Sequence, residues 1–133
     1  MKNSDFSEAK ERMINEDLIP RGIKNERVLR AFKDVLREEF LPDKLKAEAY
    51  QDRPLPIGEG QTISQPYIVA EMIQALDPQT DDKILEIGTG SGYAAAVLAE
   101  IVGTVHGVER HQSLADKARQ RLNRLDYDNI NLH

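Results

Sequence analysis

The chain of 133 residues has no cysteine and no tryptophan, and its aromatic side chains are limited to 3 Phe and 4 Tyr. Without cysteine there can be no disulfide, no thiolate metal site and no cysteine nucleophile, a composition that suits a reducing compartment. Long hydrophobic runs are missing too. The longest, Tyr93 to Ala99, falls far short of the ~20 residues that span a bilayer, and Met1 to Glu8 breaks into charge too early for the apolar segment of a secretion signal. The expectation is a cytoplasmic protein with no membrane partner. Basic charge is not in excess: 18 Lys and Arg stand against 23 Asp and Glu, a net charge of −5, which argues against a general nucleic-acid binder. The three histidines, His106, His111 and His133, show no metal-ligand spacing, so no metal site is expected. Proline and glycine are at ordinary levels and no segment repeats, which excludes collagen-like, low-complexity and solenoid architectures.

What is present is enough hydrophobic content, 40%, for one core and hence one domain. Phe6, Met13, Ile14 and Leu18 predict a surface helix over residues 4–18, stopped by Pro20 and Gly22. Asn25 is placed to cap a second helix with a stripe of Val28, Leu29, Phe32, Val35 and Leu36, and residues 43–50 predict one or two further turns. Residues 51–66 are dense in proline and glycine and read as a long irregular loop, ordered by Leu55, Ile57 and Ile63. Pro66 opens a helix to about Leu76 whose Ile68, Val69, Met72, Ile73 and Leu76 face a core. Lys83 to Ile87 then reads as a buried strand, Gly88 to Gly92 as a turn, Tyr93 to Val102 as a helix, and Val105 to Val108 as a second strand. Together these form a βαβ unit. Ser113 is expected to cap a last helix, with Asp116 completing a capping box and Lys117, Arg119, Arg121 and Arg124 on a solvated face. Residues 129–133 alternate like the start of a third strand.

A strand feeding a glycine-rich turn into a helix offers a ligand close approach to the main chain and free backbone N–H groups. Gly88, Gly90 and Gly92 are spaced GxGxG, not the GxGxxG of dinucleotide folds. An acid, Glu109, ends the following strand at the ~20-residue offset expected of a carboxylate on ribose hydroxyls. Glu86 places a charge inside an apolar strand, where it needs a polar partner. It could accept from loop N–H groups or balance a cationic ligand. The plain alternatives are a tight βα turn for the glycines and a surface strand end for Glu109.

Leu85-Glu86-Ile87-Gly88-Thr89-Gly90-Ser91-Gly92-Tyr93 with Val108-Glu109 resembles the first motif and following acid of class I S-adenosylmethionine-dependent methyltransferases. Asp52 to Gly58 and Gln61-Thr62-Ile63-Ser64-Gln65-Pro66-Tyr67 resemble, more specifically, the protein-L-isoaspartate O-methyltransferase family. The resemblance runs from the N-terminal helices to His133. It implies an α/β, Rossmann-like doubly wound methyltransferase sheet preceded by helices, with residues 1–78 as helices and covering loop and 79–133 as the first part of the sheet. It also implies S-adenosylmethionine as cofactor and isoaspartyl peptides and proteins as partners, methylated on the free carboxylate as the first step of repair. Carried over, it puts Gly88, Gly90 and Gly92 around the methionine part of the cofactor, Glu109 on its ribose and Glu86 beneath the loop. Thr62, Ser64 and Tyr67 fall in the segment closing over the site, with Ser64 as its active-site residue.

A carboxylate with an ordinary pKa near ~4 is already ionised at neutral pH and needs no general base, so Ser64 is expected to orient the acceptor and not to act as a covalent nucleophile. GTGSG is not the GxSxG of a hydrolase elbow. A purely structural role for Ser64 would be the N-cap ahead of Pro66. The family's sheet has more strands than this chain supplies. The expectation is therefore an incomplete domain with half a cofactor site, impaired activity and an open apolar edge on its first strand, prone to self-association. A nucleotide module of another class, such as an NAD-dependent oxidoreductase, and a non-catalytic interaction fragment are the competing readings.

Overall fold

A computed structural model describes the chain from residue 2 onward, with side chains from Phe6. Met1 and the side chains of residues 2–5, on which part of the secretion-signal reading falls, lie outside the described residues. Helix α1, Lys2–Met13, continues through a π-helical turn, Ile14–Leu18, and a 3-10 turn, Ile19–Arg21. It ends at Gly22, whose φ of 99° is a conformation that glycine adopts without strain. Met13, Ile14 and Leu18 are buried.

Helix α2, Glu26–Asp34, is capped as its sequence predicts: the Asn25 carboxamide oxygen accepts from the N–H groups of Arg27 at 2.9 Å and Val28 at 3.3 Å. Its stripe is shorter than expected. Val28, Phe32 and Val35 are buried, Leu29 is half-buried, and Leu36 is exposed. The helix stops because Val35 turns to an extended conformation, which lets Arg37 and Phe40 enter the core from a 3-10 turn, Arg37–Phe40. A second 3-10 segment, Asp43–Glu48, follows.

The presumed irregular loop contains an antiparallel hairpin, β1 (Leu55–Gly58) and β2 (Gln61–Ile63), with Leu55 opposite Ile63 and Pro56 opposite Thr62. Proline and glycine hide this pairing from a composition argument. Pro56 is exposed on a two-stranded ribbon, the kind of edge position where proline is tolerated, and the turn takes positive φ at Gly58, Glu59 and Gly60. Leu55, Ile57 and Ile63 are the inward residues.

Helix α3, Pro66–Leu76, leads to β3 (Lys83–Ile87), α4 (Tyr93–Ala99), β4 (Thr104–Val108), α5 (Gln112–Arg124) and β5 (Ile130–Leu132). The three strands are parallel in the order β3-β4-β5, the arrangement that successive strand-helix-strand crossovers produce. Helix α4 ends at Ala99 and not Val102, because Ile101 and Val102 turn into the core. Phe32 and Phe40 pack edge-on to Tyr93 with ring centroids 6.1 and 5.6 Å away, joining the N-terminal helices to the start of α4.

Three details of the predicted surface differ. Ser113 lies inside α5 and its hydroxyl donates to Glu59 at 2.7 Å, while the N-cap position is His111 and Asp116 accepts from Gln112, so no Ser113 capping box forms. The face with Lys117 and Arg119 is exposed, but Arg121 donates to the Ser91 carbonyl at 2.9 Å and Arg124 to Glu39 at 2.7 Å. On α3 only Val69 and Ile73 of the expected stripe are buried. Ile68, Met72 and Leu76 are exposed, the last two along the same groove as Leu85 and Ile87 of β3, which are 63% and 75% exposed. β3 is thus an open apolar edge, as its place at the end of the strand order requires, and not a strand buried on both sides.

Candidate active site

The turn after β3 is held down by its own backbone. The N–H groups of Gly88 and Thr89 both donate to the Val108 carbonyl at 2.7 and 3.1 Å, and Gly92 N–H donates to Thr89 at 2.9 Å. Gly90 N–H donates to Glu109 at 2.8 Å, and the second Glu109 oxygen accepts from His111 N–H at 2.9 Å. These N–H groups, expected to point at a ligand, are therefore used internally. Glu109, and not Glu86 as the sequence also allows, is the residue that takes a loop N–H.

The three glycines differ in what surrounds them. A Cβ on Gly92 would touch Leu122 and Ala118 of α5 at 3.4 to 3.5 Å, and one on Gly90 would touch Ile57 of the hairpin at 3.5 Å. At Gly88 nothing lies within 4 Å of that position, and its φ is 85°. Gly88 is the one that opens on free space, while Gly90 and Gly92 sit where hairpin and α5 come close.

Glu86 lies next to this opening. One of its carboxylate oxygens is buried with no hydrogen-bond partner, as is the hydroxyl oxygen of Thr89. Burial, with the Thr89 hydroxyl beside it pulling the other way without completing a hydrogen bond and the charge of Glu109 adding to the effect, pushes the Glu86 carboxyl up to about 7. An unpartnered buried carboxylate is a candidate for contact with a polar or cationic ligand.

Ser64, Glu86 and Gly88 line one groove of about 470 Å³, walled by Val69, Ile73, Ile84 and Leu98. Ser64 follows β2 and is exposed, and Gln65, not Ser64, is the N-cap residue of α3. The N-cap alternative for Ser64 therefore falls. Thr62 is an exposed residue of β2 paired with Pro56, outside the groove lining. Tyr67 also stands apart. The Arg21 guanidinium lies 4.5 Å from its ring centre, and its hydroxyl donates to Glu71 at 3.2 Å.

Two residues of this region take roles that motif spacing does not announce, although Asp52 opens the family-like segment. Asp52 accepts from Tyr67 N–H at 3.0 Å and pairs with Arg21 at 2.6 Å, fixing the start of α3. Gly107 lies opposite Glu86 in the sheet, directly beneath Thr89. An isolated glycine inside a strand pattern, Val105-His106-Gly107-Val108, is the signal for such a close approach. Among the described residues there is no group of three or more metal-ligating side chains, and no helix is long and apolar enough to cross a membrane.

The family model of protein-L-isoaspartate(D-aspartate) O-methyltransferase matches residues 8–133. A protein-L-isoaspartate O-methyltransferase of Pelotomaculum thermopropionicum is 58% identical over 90% of this chain and 52% of its own length. A second, from Pelobacter propionicus, is 53% identical over 98% of this chain and 57% of its own length. The chain thus spans about half the length of the curated relatives it matches. A solved protein-L-isoaspartate O-methyltransferase superposes with a TM-score of 0.81 at 30% identity, covering 93% of this chain and 41% of the other. A Plasmodium falciparum structure bearing the same enzyme name, solved with S-adenosyl-L-homocysteine, shares the fold at a TM-score of 0.76 and 24% identity, over 96% of this chain and 62% of its own. With the glycine turn, the strand-end acid and the Ser64 segment on the same framework, the chain belongs to the protein-L-isoaspartate O-methyltransferase family and carries the first strands of its Rossmann-like methyltransferase sheet.

Proposed function

We propose that this chain provides the cofactor turn and acceptor-orienting segment of an S-adenosylmethionine-dependent methyltransferase acting on the free carboxylate of L-isoaspartyl residues in damaged proteins. The observation that carries the reading is the shared groove: Ser64, Glu86 and Gly88, far apart in sequence, line one cleft. The residues suit the group they would hold. Gly88 leaves room for a bulky ligand against the main chain, and Glu86, which lines the same groove, keeps one carboxylate oxygen without a hydrogen-bond partner, so a cation bound there would be stabilised. When bound, the cofactor supplies an electrophilic methyl group on a positively charged sulfur. The protein's own part is to orient and to exclude water. Ser64 donates its hydroxyl to the acceptor carboxylate, Glu86 balances positive charge, and the apolar walls keep the cleft dry, conditions that favour a reaction in which opposite charges neutralise each other. Glu109 reaches ribose hydroxyls with the lone pairs left over from Gly90 and His111. Gly90 and Gly92 hold the turn in shape, and Thr62 and Tyr67 belong to the segment that covers the site. The proposal includes a cytoplasmic setting, in keeping with the cysteine-free composition.

The test is transfer of radiolabelled methyl from S-adenosylmethionine to an isoaspartyl peptide, by this chain and by a version extended to the length of its relatives. The extended protein is expected to label the peptide, with the 133-residue chain much weaker. Ser64→Ala in the extended protein should lower kcat about tenfold, equivalent to one hydrogen bond of about 1.4 kcal/mol. Absence of label transfer by the extended protein, or binding of NAD in place of S-adenosylhomocysteine, overturns the reading.

The same reading includes pairing between copies of the 133-residue chain through the open edge of β3, since unpaired strand edges template association. Sedimentation velocity is expected to show a dimer population that grows with concentration. A monomer at all concentrations removes this part of the proposal.

A further inference from the structure

Arg37 is a fully buried cation, 0% exposed, and among the described residues the largest side chain enclosed to that degree. A buried guanidinium is costly unless it is paired, yet among the described residues Arg37 forms no ion pair with a carboxylate. Its neighbour Glu38 is not available, because it accepts the Tyr50 hydroxyl. Arg37 instead spends its donors on main-chain carbonyls: Nε donates to Ala49 at 2.6 Å and one terminal nitrogen to Ser64 at 3.0 Å. Its guanidinium carbon lies 4.8 Å from the ring centre of Tyr93, the residue directly after Gly92. The Tyr93 hydroxyl and the other terminal nitrogen are both buried without a hydrogen-bond partner.

The side chain therefore touches both parts of the candidate site at once. On one side it fixes the backbone of Ser64, a residue of the groove lining. On the other it stacks on the first residue of the helix that the glycine turn launches. Only a planar fork does this: a lysine ammonium is a point donor that cannot serve two carbonyls and a ring face in the same geometry. Stability alone does not account for a buried unpaired cation, since well-packed apolar replacements of buried charges are often neutral or stabilising.

We propose that Arg37 is a positioning residue that clamps the Ser64 main chain to Tyr93, setting where the Ser64 hydroxyl stands relative to the glycine turn. The inference rests on the reading of Ser64 given above as the acceptor-orienting residue. In this account Arg37 touches neither cofactor nor substrate, and its effect reaches the reaction through Ser64.

Two measurements on Arg37→Lys and Arg37→Met separate this from a purely structural role. Hydrogen exchange of the 133-residue chain should show at least tenfold faster exchange at residues 61–69 in both variants, with any other change limited to the surroundings of Ala49 and with β3, β4 and β5 unchanged. In the extended protein, Arg37→Lys should lower kcat for an isoaspartyl peptide about tenfold while KM for S-adenosylmethionine moves less than twofold. Uniformly faster exchange, unfolding of both variants, or unchanged exchange at residues 61–69 overturns the proposal. A KM increase with unchanged kcat does so as well. If the unsubstituted extended protein transfers no methyl group, the proposed function fails, and the exchange pattern still decides whether Arg37 is the clamp.

Discussion

Gly107→Ala is expected to destabilise the chain by about 3 kcal/mol, the upper part of the range for overpacking a filled interior, and to lower the midpoint of thermal unfolding by roughly 10 °C. Gly107 is in the central strand, with Glu86 of β3 on one side and β5 on the other. A methyl group there would collide with the Thr89 hydroxyl and would stand 2.8 Å from Leu132. Leu132 is partly exposed and can swing away. Thr89 cannot move as easily, because it is 4% exposed and its N–H is tied to Val108. Relief of the clash must lift the turn that carries Gly88. The same substitution should therefore weaken binding of S-adenosylhomocysteine by more than the loss of stability alone would do, measured by calorimetry well below the unfolding midpoint. A variant that melts within 2 °C of the unsubstituted chain would show that the turn does not rest on Gly107.

Glu86→Gln should act in the opposite direction on stability. The folded-state pKa of Glu86, about 7, lies above the ordinary glutamate value near ~4.3. Below that ordinary value the carboxyl is protonated whether the chain is folded or not, and nothing is lost. As pH rises toward 7 the unfolded chain ionises first, so the folded state binds more protons and stability falls. Above about 7 the full penalty is in place, about 2 kcal/mol once partial solvent contact is allowed for. Glutamine carries no such penalty. Urea unfolding should find the variant more stable by about that amount at pH 8, with the difference shrinking to near zero at pH 4. Its binding of a cationic ligand should weaken at the same time, which is the usual sign of a group kept for function at the expense of stability. A difference independent of pH would show that Glu86 finds its compensation within the folded chain.

Much of the framework could be read from local chemistry. Asn25 caps its helix, Pro66 opens α3, Pro20 and Gly22 close the first helical segment, and the strand-turn-helix-strand order around Gly88 follows from apolar runs punctuated by glycine. What escaped that reading depends on residues distant in the chain. The β1–β2 hairpin has only three or four residues per strand, and its proline and glycine content outweighs the alternation of Leu55, Ile57 and Ile63. The length of α2 is decided by the burial of Arg37 and Phe40, which no helical period encodes. Apolar periodicity alone puts Ile68, Met72 and Leu76 of α3 in a core, yet they are exposed, because apolar residues mark a surface that wants a neighbour without saying whether one is there.

The site residues divide the same way. The motif brings Glu86 and Gly88 together through adjacency alone, but Ser64 reaches them only through the tertiary fold. Asp52 and Gly107 work through contacts with Tyr67 and Thr89, across 15 positions in the first case. For Gly107, a lone glycine within an apolar strand run marks a close approach, and only the strand register shows that Thr89 is what approaches.

The two sheets also differ in how they can be assembled. β1 and β2 meet across a tight turn, so their ribbon can zip within microseconds. Each parallel neighbour of β4 is separated from it by a helix, and a chain loop of about twenty residues must close before the first inter-strand bond offers any return. These closures set the folding speed of this chain, and throughout that interval β3 is a nascent strand with neither edge satisfied.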